Sequence, residues 1–231
     1  DGMGGHAGGQ VASALTVEHV GRNVIRTTYE AETAQRQGTS VVVPERILEQ
    51  SIRGACTAVF EEARHRPELS GMGSTVTAMW AYGSDAYFGQ VGDSRAYLYR
   101  NSRLDQITED HSLVQEQVSA GLITEEQAKF SMVRNIITRS IGFESDVEVD
   151  LFKVPMQVGD HYLLCSDGLT GLVEDHEIQD VITTTQRRKV PATLIELANA
   201  RGGDDNTSVV FVSVLGGRRG APKRRNAVSG S

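Results

Sequence analysis

Residues 71–100 read GMGSTVTAMWAYGSDAYFGQVGDSRAYLYR. STVTAMWAY, DAYFGQV and SRAYLYR, with RLDQI just beyond, are short runs rich in β-branched and aromatic residues. Gly, Ser, Asp and Asn separate them, which is the pattern of an antiparallel meander. The flanks differ. Upstream, residues 10–30 place Val11, Leu15, Val20, Val24 and Ile25 at helical spacing, which predicts an amphipathic helix. Pro44 then stands where a second helix can begin, and Leu48, Ile52, Ala55, Val59 and Ala63 continue one apolar face until Pro67. Downstream, residues 112–140 return to a polar helical composition, with Thr124 and Gln127 spaced as a capping box and Gly121 as a stop before it. VEVDLFKV and HYLLCSD restore β character. A helical stretch from Asp175 to about Asn199 follows, and TSVVFVSVL closes the series at Leu215.

At 231 residues the chain suits one large core. The expected division is a folded domain over 1–215 and a basic, disordered tail over 216–231. The tail holds Arg218, Arg219, Lys223, Arg224 and Arg225 and no acid, so the total of −7 divides into −12 on the domain and +5 on the tail. An acidic body removes the driving force for phosphate-backbone binding, so nucleic acid is excluded as a generic partner. Cys56 and Cys165 are the only cysteines and belong to no CxxC or Cys/His cluster. They suggest neither a disulfide framework nor a zinc site and fit a reducing, cytoplasmic compartment. No apolar run is long enough to span a bilayer.

Four acids stand where a strand meets a turn. Asp1 opens DGMGG, Asp93 follows YFGQV in GDS, Asp167 follows YLLC in SDG, and Asp205 lies in GGDDNTS ahead of VVFVSV. Any one of them could simply cap its turn. Gathered together they would repel one another unless cations neutralise them. All the candidate ligands are oxygen, which selects hard Mg²⁺ or Mn²⁺ over Zn²⁺. Gly2, Gly4 and Ala7 also fit GxGxxA, a dinucleotide-loop pattern that is weak alone, and the strands that follow do not alternate with helices.

DGMGGHAGGQVAS (1–13), GSTVTA (73–78), FGQVGDSRAYLYR (88–100), QITEDHSLVQEQVSAGLIT (106–124), RNIITRSIG (134–142), GDHYLLCSDGLTGLV (159–173) and GGDDNTSVV (202–210) together resemble the bacterial metal-dependent serine/threonine protein phosphatases of the PP2C (PPM) family. The resemblance is collinear from residue 1 to about 215. It implies an α+β four-layer sandwich, two antiparallel β-sheets flanked by α-helices, with a helical flap inserted at about 112–140. It implies two, or with a weaker site three, Mn²⁺ or Mg²⁺ ions. Asp1 would bridge two of them, the Gly2 carbonyl would serve one, Asp167 and Asp205 would hold the other, and Asp93 with Asp167 would serve the third. The implied reaction is hydrolysis of phosphoserine or phosphothreonine in proteins by a metal-activated water, opposing Ser/Thr kinases, with His6 as candidate proton donor to the leaving oxygen. His111 of EDHS reads as a turn or hydrogen-bonding residue.

Departures from the family pattern also matter. Met132 and Val133 replace the usual His-Pro of the flap, and Gly171 stands where many relatives carry an Asp that helps the third metal. Family members have an earlier strand, a phosphate-gripping Arg and an Asn-Glu-Asp segment before DGMGG, so the chain is expected to lack its N-terminal segment. That leaves a second reading, a non-catalytic domain that binds a phosphopeptide or partner. The expected partners are phosphoproteins and a cognate Ser/Thr kinase, with the enzyme acting as a monomer.

Overall fold

The computed structural model describes residues 1–216; the basic segment 217–231 lies outside the described residues. A two-residue strand β1 (Gly2–Met3) leads into α1 (Gly5–Arg36), longer at both ends than the periodicity predicts. Nothing in the sequence interrupts it until Gly38, whose φ of 73° closes the helix in the left-handed conformation that glycine adopts without strain. Next, α2 (Pro44–His65) buries Leu48, Ile52, Ala55, Cys56 and Val59 along the face read from the sequence.

The strands β2 (Gly73–Ser74), β3 (Val76–Tyr82), β4 (Asp85–Val91), β5 (Arg95–Arg100) and β6 (Arg103–Gln106) then follow without a break. Two short flap helices come next, α3 (Leu113–Ser119) and α4 (Glu125–Lys129). Thr124 and Gln127 form the expected capping box of α4, and Gly121 takes a φ of 69°. The flap is therefore two short helices divided at Gly121, followed by an irregular return. Its helices bury no residue, so packing does not extend them. The chain finishes with β7 (Asp150–Pro155), β8 (His161–Cys165), α5 (Asp167–Thr170), α6 (Asp175–Thr184), α7 (Val190–Ala200) and β9 (Val209–Ser213).

The strands do not form one meander. One sheet has the order β3-β4-β7 and the other β6-β5-β8-β9, all antiparallel, while β1 pairs only with β2. The chain changes sheet at Gly92–Ser94. Gly92 has a φ of 103°, and a β-carbon there would lie 2.5 Å from Thr75 Cγ2, so only glycine fits this corner.

Period-two alternation sorts the core. Ala86 and Phe88 of β4 meet Ala96 of β5 and Tyr162 and Leu164 of β8 between the sheets. On β4's other face Tyr87 and Val91 pack beneath α1 and α2, while Leu163 and Cys165 of β8 pack beneath α5, α6 and α7. The layers are helix, sheet, sheet, helix, the α+β sandwich expected. Both faces of each sheet are covered, which is why these strands read as continuous apolar runs. Cys56 and Cys165 are buried and free.

Candidate metal centre

Asp1 is anchored through its backbone. Its carbonyl oxygen accepts the Thr75 N–H (2.9 Å) and the Ser74 hydroxyl (2.5 Å), which docks the β1 end onto the start of the first sheet. Gly2 lies against Gly9 of α1, where a β-carbon on Gly2 would come within 2.0 Å of the Gly9 carbonyl oxygen. Asp167 is the first residue of α5, directly after β8, and Asp205 lies in the loop between α7 and β9. Ser166 ties these two segments together: its N–H donates to the Ser208 carbonyl (3.1 Å), its Oγ accepts the Ser208 N–H (3.0 Å) and donates to the Asn206 carbonyl (3.1 Å).

Three distant segments thus converge. Asp1, Asp167 and Asp205 each offer a carboxylate oxygen within 4.8 Å of the other two, the only such acidic or His/Cys group among the described residues. Asp204, the alternative in GGDDN, lies outside it. Asp93 is buried in the corner between the sheets, 8% exposed. Burial first, then the negative charges of Asp167 and Asp110, push its carboxyl up to about 6. Arg95 pulls the other way but does not outweigh them, and its guanidinium is held by Asp110 through three contacts of 2.7–3.0 Å.

Asp93 Oδ1 and Asp167 Oδ1 are buried without any hydrogen-bond partner, as is Thr207 Oγ1. A buried carboxylate oxygen with no donor is costly, and one within the converging cluster and one on neighbouring Asp93 mark a site short of positive charge. The donor set is all oxygen, so these residues fit hard divalent cations. His6 has its backbone in the first turn of α1, and its side chain lies outside the described part of the structure. The GxGxxA reading does not hold, because β1 is a two-residue strand antiparallel to β2 and not part of a parallel sheet.

Several residues around the site carry no sequence signal of their own. Ser74 and Thr75 read only as strand formers, yet they hold Asp1. Asp150 sits inside VEVDLFKV, where nothing distinguishes it from a solvated strand position, yet it reaches His111 with a separation of 3.2 Å.

The class the structure defines is a four-layer α+β sandwich with three carboxylates, an oxygen-only donor set suited to hard divalent cations, converging where its two sheets meet. The chain belongs to the protein phosphatase 2C family, whose model matches residues 1–200. It is 38% identical over 216 residues to the serine/threonine phosphatase stp of Listeria welshimeri, covering 92% of this chain and 81% of that protein. The crystal structure of the Mycobacterium tuberculosis serine/threonine phosphatase PstP superposes with a TM-score of 0.81 at 34% identity, over 94% of this chain and 86% of that one. A PstP catalytic domain in complex with two manganese ions matches with a TM-score of 0.76 at 35% identity, over 94% and 86% of the two chains. This chain is an enzyme of the serine/threonine phosphatase type.

Proposed function

We propose that this protein hydrolyses phosphoserine and phosphothreonine in proteins at the carboxylate centre of Asp1, Asp167 and Asp205. The observation that carries the assignment is the convergence of these three carboxylates, with Asp167 Oδ1 among them and the neighbouring Asp93 Oδ1 both buried and unpartnered. Asp1, Asp167 and Asp205 with the Gly2 carbonyl would hold two Mn²⁺ or Mg²⁺ ions, and Asp93 with Asp167 a third. Ions in such a site supply a water of lowered pKa and offset the charge on the phosphoryl oxygens.

The chain's own residues do the remaining work. The Ser74–Thr75 clamp on the Asp1 carbonyl and the Ser166–Ser208 link fix the carboxylates on rigid backbone before substrate arrives. A serine alkoxide is a poor leaving group, and His6, in the first turn of α1, is assigned to deliver its proton. The flap, with Phe130 and Met132 exposed beside few buried contacts, presents the surface that meets the phosphoprotein. An acidic body disfavours self-association and supports a monomer. Two buried, unpaired cysteines support cytoplasmic residence, where a cognate Ser/Thr kinase would supply the substrates. No described helix is long and apolar enough to cross a membrane.

The deciding experiment is Asp167→Asn, assayed with p-nitrophenyl phosphate and a phosphothreonine peptide across a Mn²⁺ titration. Loss of turnover together with weakened Mn²⁺ binding is expected; unchanged Mn²⁺-dependent turnover would overturn the site.

A further inference from the structure

His111 is a buried histidine outside the carboxylate cluster, and every polar atom it has is engaged at a junction of three chain segments. Its backbone N–H donates to the Gly92 carbonyl (3.0 Å), and the Gly92 N–H donates back to its ring Nδ1 (3.1 Å). The Gly92 peptide, immediately before Asp93, is therefore gripped on both sides by one residue. Because Nδ1 accepts, the ring proton sits on Nε2, 3.2 Å from Asp150 Oδ2. Arg139 Nη1 donates to the other Asp150 oxygen (2.6 Å) and lies 3.1 Å from Nε2.

These residues also form the root of the flap. The His111 carbonyl accepts the Thr138 N–H (2.9 Å), the Leu113 N–H donates to the Ile136 carbonyl (2.9 Å), and Ser112 bridges Ile137. The entering and leaving strands of the flap are thus pinned together at His111 and Arg139. Asp150, at the start of β7, pairs with Gln90 of β4, whose Nε2 donates to the Gly92 and Ser94 carbonyls (2.8 Å each). Gln90 braces the turn from within its own sheet. Its side-chain hydrogen bonds among the described residues go to Thr77, Gly92 and Ser94 and none to the flap, so His111 adds a different connection.

We propose that His111, Asp150 and Arg139 are positioning residues that tie the base of the flap to the Asp93 turn, so that flap placement and cation affinity at Asp93 are linked. Flap motion displaces the His111 ring, the ring shifts the Gly92 peptide, and the Asp93 carboxylate moves with it. By linkage, a cation bound at Asp93 holds the flap root in return. This inference rests on the reading of Asp93 as a cation ligand given above.

The test is direct Mn²⁺ binding to the full chain, with free Mn²⁺ counted by electron paramagnetic resonance. Asp93→Asn serves as the reference that identifies the Asp93-dependent binding step. His111→Leu keeps the bulk of the ring but loses the acceptor, and it is expected to weaken that step by about tenfold or more, as loss of a ligand-orienting partner does. His111→Asn can still accept the Gly92 N–H through its side-chain oxygen and is expected to stay within about threefold of the parent, by the same reasoning. Asp150→Ala, at a half-buried position, leaves the Gly92 N–H bonded to Nδ1 and is expected, like His111→Asn, to stay within about threefold of the parent while losing the tie between the ring and the flap root.

A spin label on Met132→Cys reads the flap: saturating Mn²⁺ should change its mobility in the parent and not in Asp150→Ala. Equal affinity in His111→Leu and the parent, equal weakening in the Leu and Asn variants, or a label indifferent to Mn²⁺ in the parent would each overturn the proposal. Wild-type binding by Asp93→Asn would remove the ligand assignment and this inference together, whereas a defect in Asp93→Asn alone removes only the inference.

Discussion

A β-carbon on Gly168 would lie 2.5 Å from the carbonyl oxygen of Asn206. The two residues immediately follow Asp167 and Asp205, so this backbone contact sets the spacing of two of the three converging carboxylates. Gly168→Ala must push the α5 start away from the Asp205 loop. Overpacking of this kind costs about 1–3 kcal/mol. The expected result is a lowered melting temperature together with a loss of Mn²⁺ affinity, whereas Gly21→Ala on α1, where a β-carbon meets nothing within 4 Å, should leave Mn²⁺ affinity intact. Calorimetry and a Mn²⁺ titration of both variants check this.

Metal addition and removal should change stability as well as turnover. Asp1, Asp167 and Asp205 repel in the absence of cations. A ligand that binds only the folded state at a concentration 100 times its Kd adds about 2.7 kcal/mol. Chelated protein should therefore melt several degrees below protein in excess Mn²⁺, and Asp167→Asn should show a smaller Mn²⁺-dependent rise.

The His6 assignment makes a prediction about the leaving group. p-Nitrophenolate departs without a proton, whereas a serine or threonine oxygen needs one. General acid catalysis contributes about 10²–10⁴-fold. His6→Ala should lose a factor in that range on phosphopeptides and much less on p-nitrophenyl phosphate; equal losses on both would refute the assignment.

Far from the metal centre, Asp160 and Arg100 form a bidentate ion pair (2.8 and 2.7 Å), and Asp160 also accepts the Gln157 N–H (2.7 Å). Its side chain is almost fully buried. Burial alone would raise its acid, but the Arg100 guanidinium and the Gln157 N–H outweigh that and hold it below the usual carboxylate range. The Arg100 left behind is 23% exposed and can be rehydrated, so Asp160→Ala should lose about 1.5–3 kcal/mol at pH 7, the scale of charged hydrogen bonds. A folded-state pKa below the unfolded value of about 3.9 means the contribution is complete above that pH and is lost as the pH falls through the folded value. The gap between the urea midpoints of wild type and variant should therefore start to narrow as the pH falls below about 4.

Phe130 and Met132 of the flap are exposed, at 87% and 102%. Replacing both with Ser should leave stability within about 0.5 kcal/mol, as for surface sites generally. Turnover of p-nitrophenyl phosphate should be unchanged, while kcat/KM on a phosphoprotein should fall.

The two long N-terminal helices, the strand runs and the four acids at strand–turn junctions were all legible in the sequence. Each depends on local periodicity or on Gly and Pro punctuation, which act over a few residues. The partition of strands between sheets was not. β4 and β5 are both apolar on both faces because each sheet is covered twice, so alternation carries no label for which sheet a strand joins, and the corner at Gly92 looks like any other turn. The flap showed its helical composition, the stop at Gly121 and the capping box that starts α4, but not that both helices stay short and bury no residue. At the site, sequence identified candidates, and folding decided which of them meet. Asp205 joins Asp1 and Asp167 while Asp204 does not, through Gly168 against Asn206 and the Ser166 link. The tie from His111 to Asp150 and Gly92 joins segments far apart along the chain. Contacts of that kind come from packing whole layers together, and the residues that make them have the same types as ordinary strand and turn residues, so only the tertiary structure could select them.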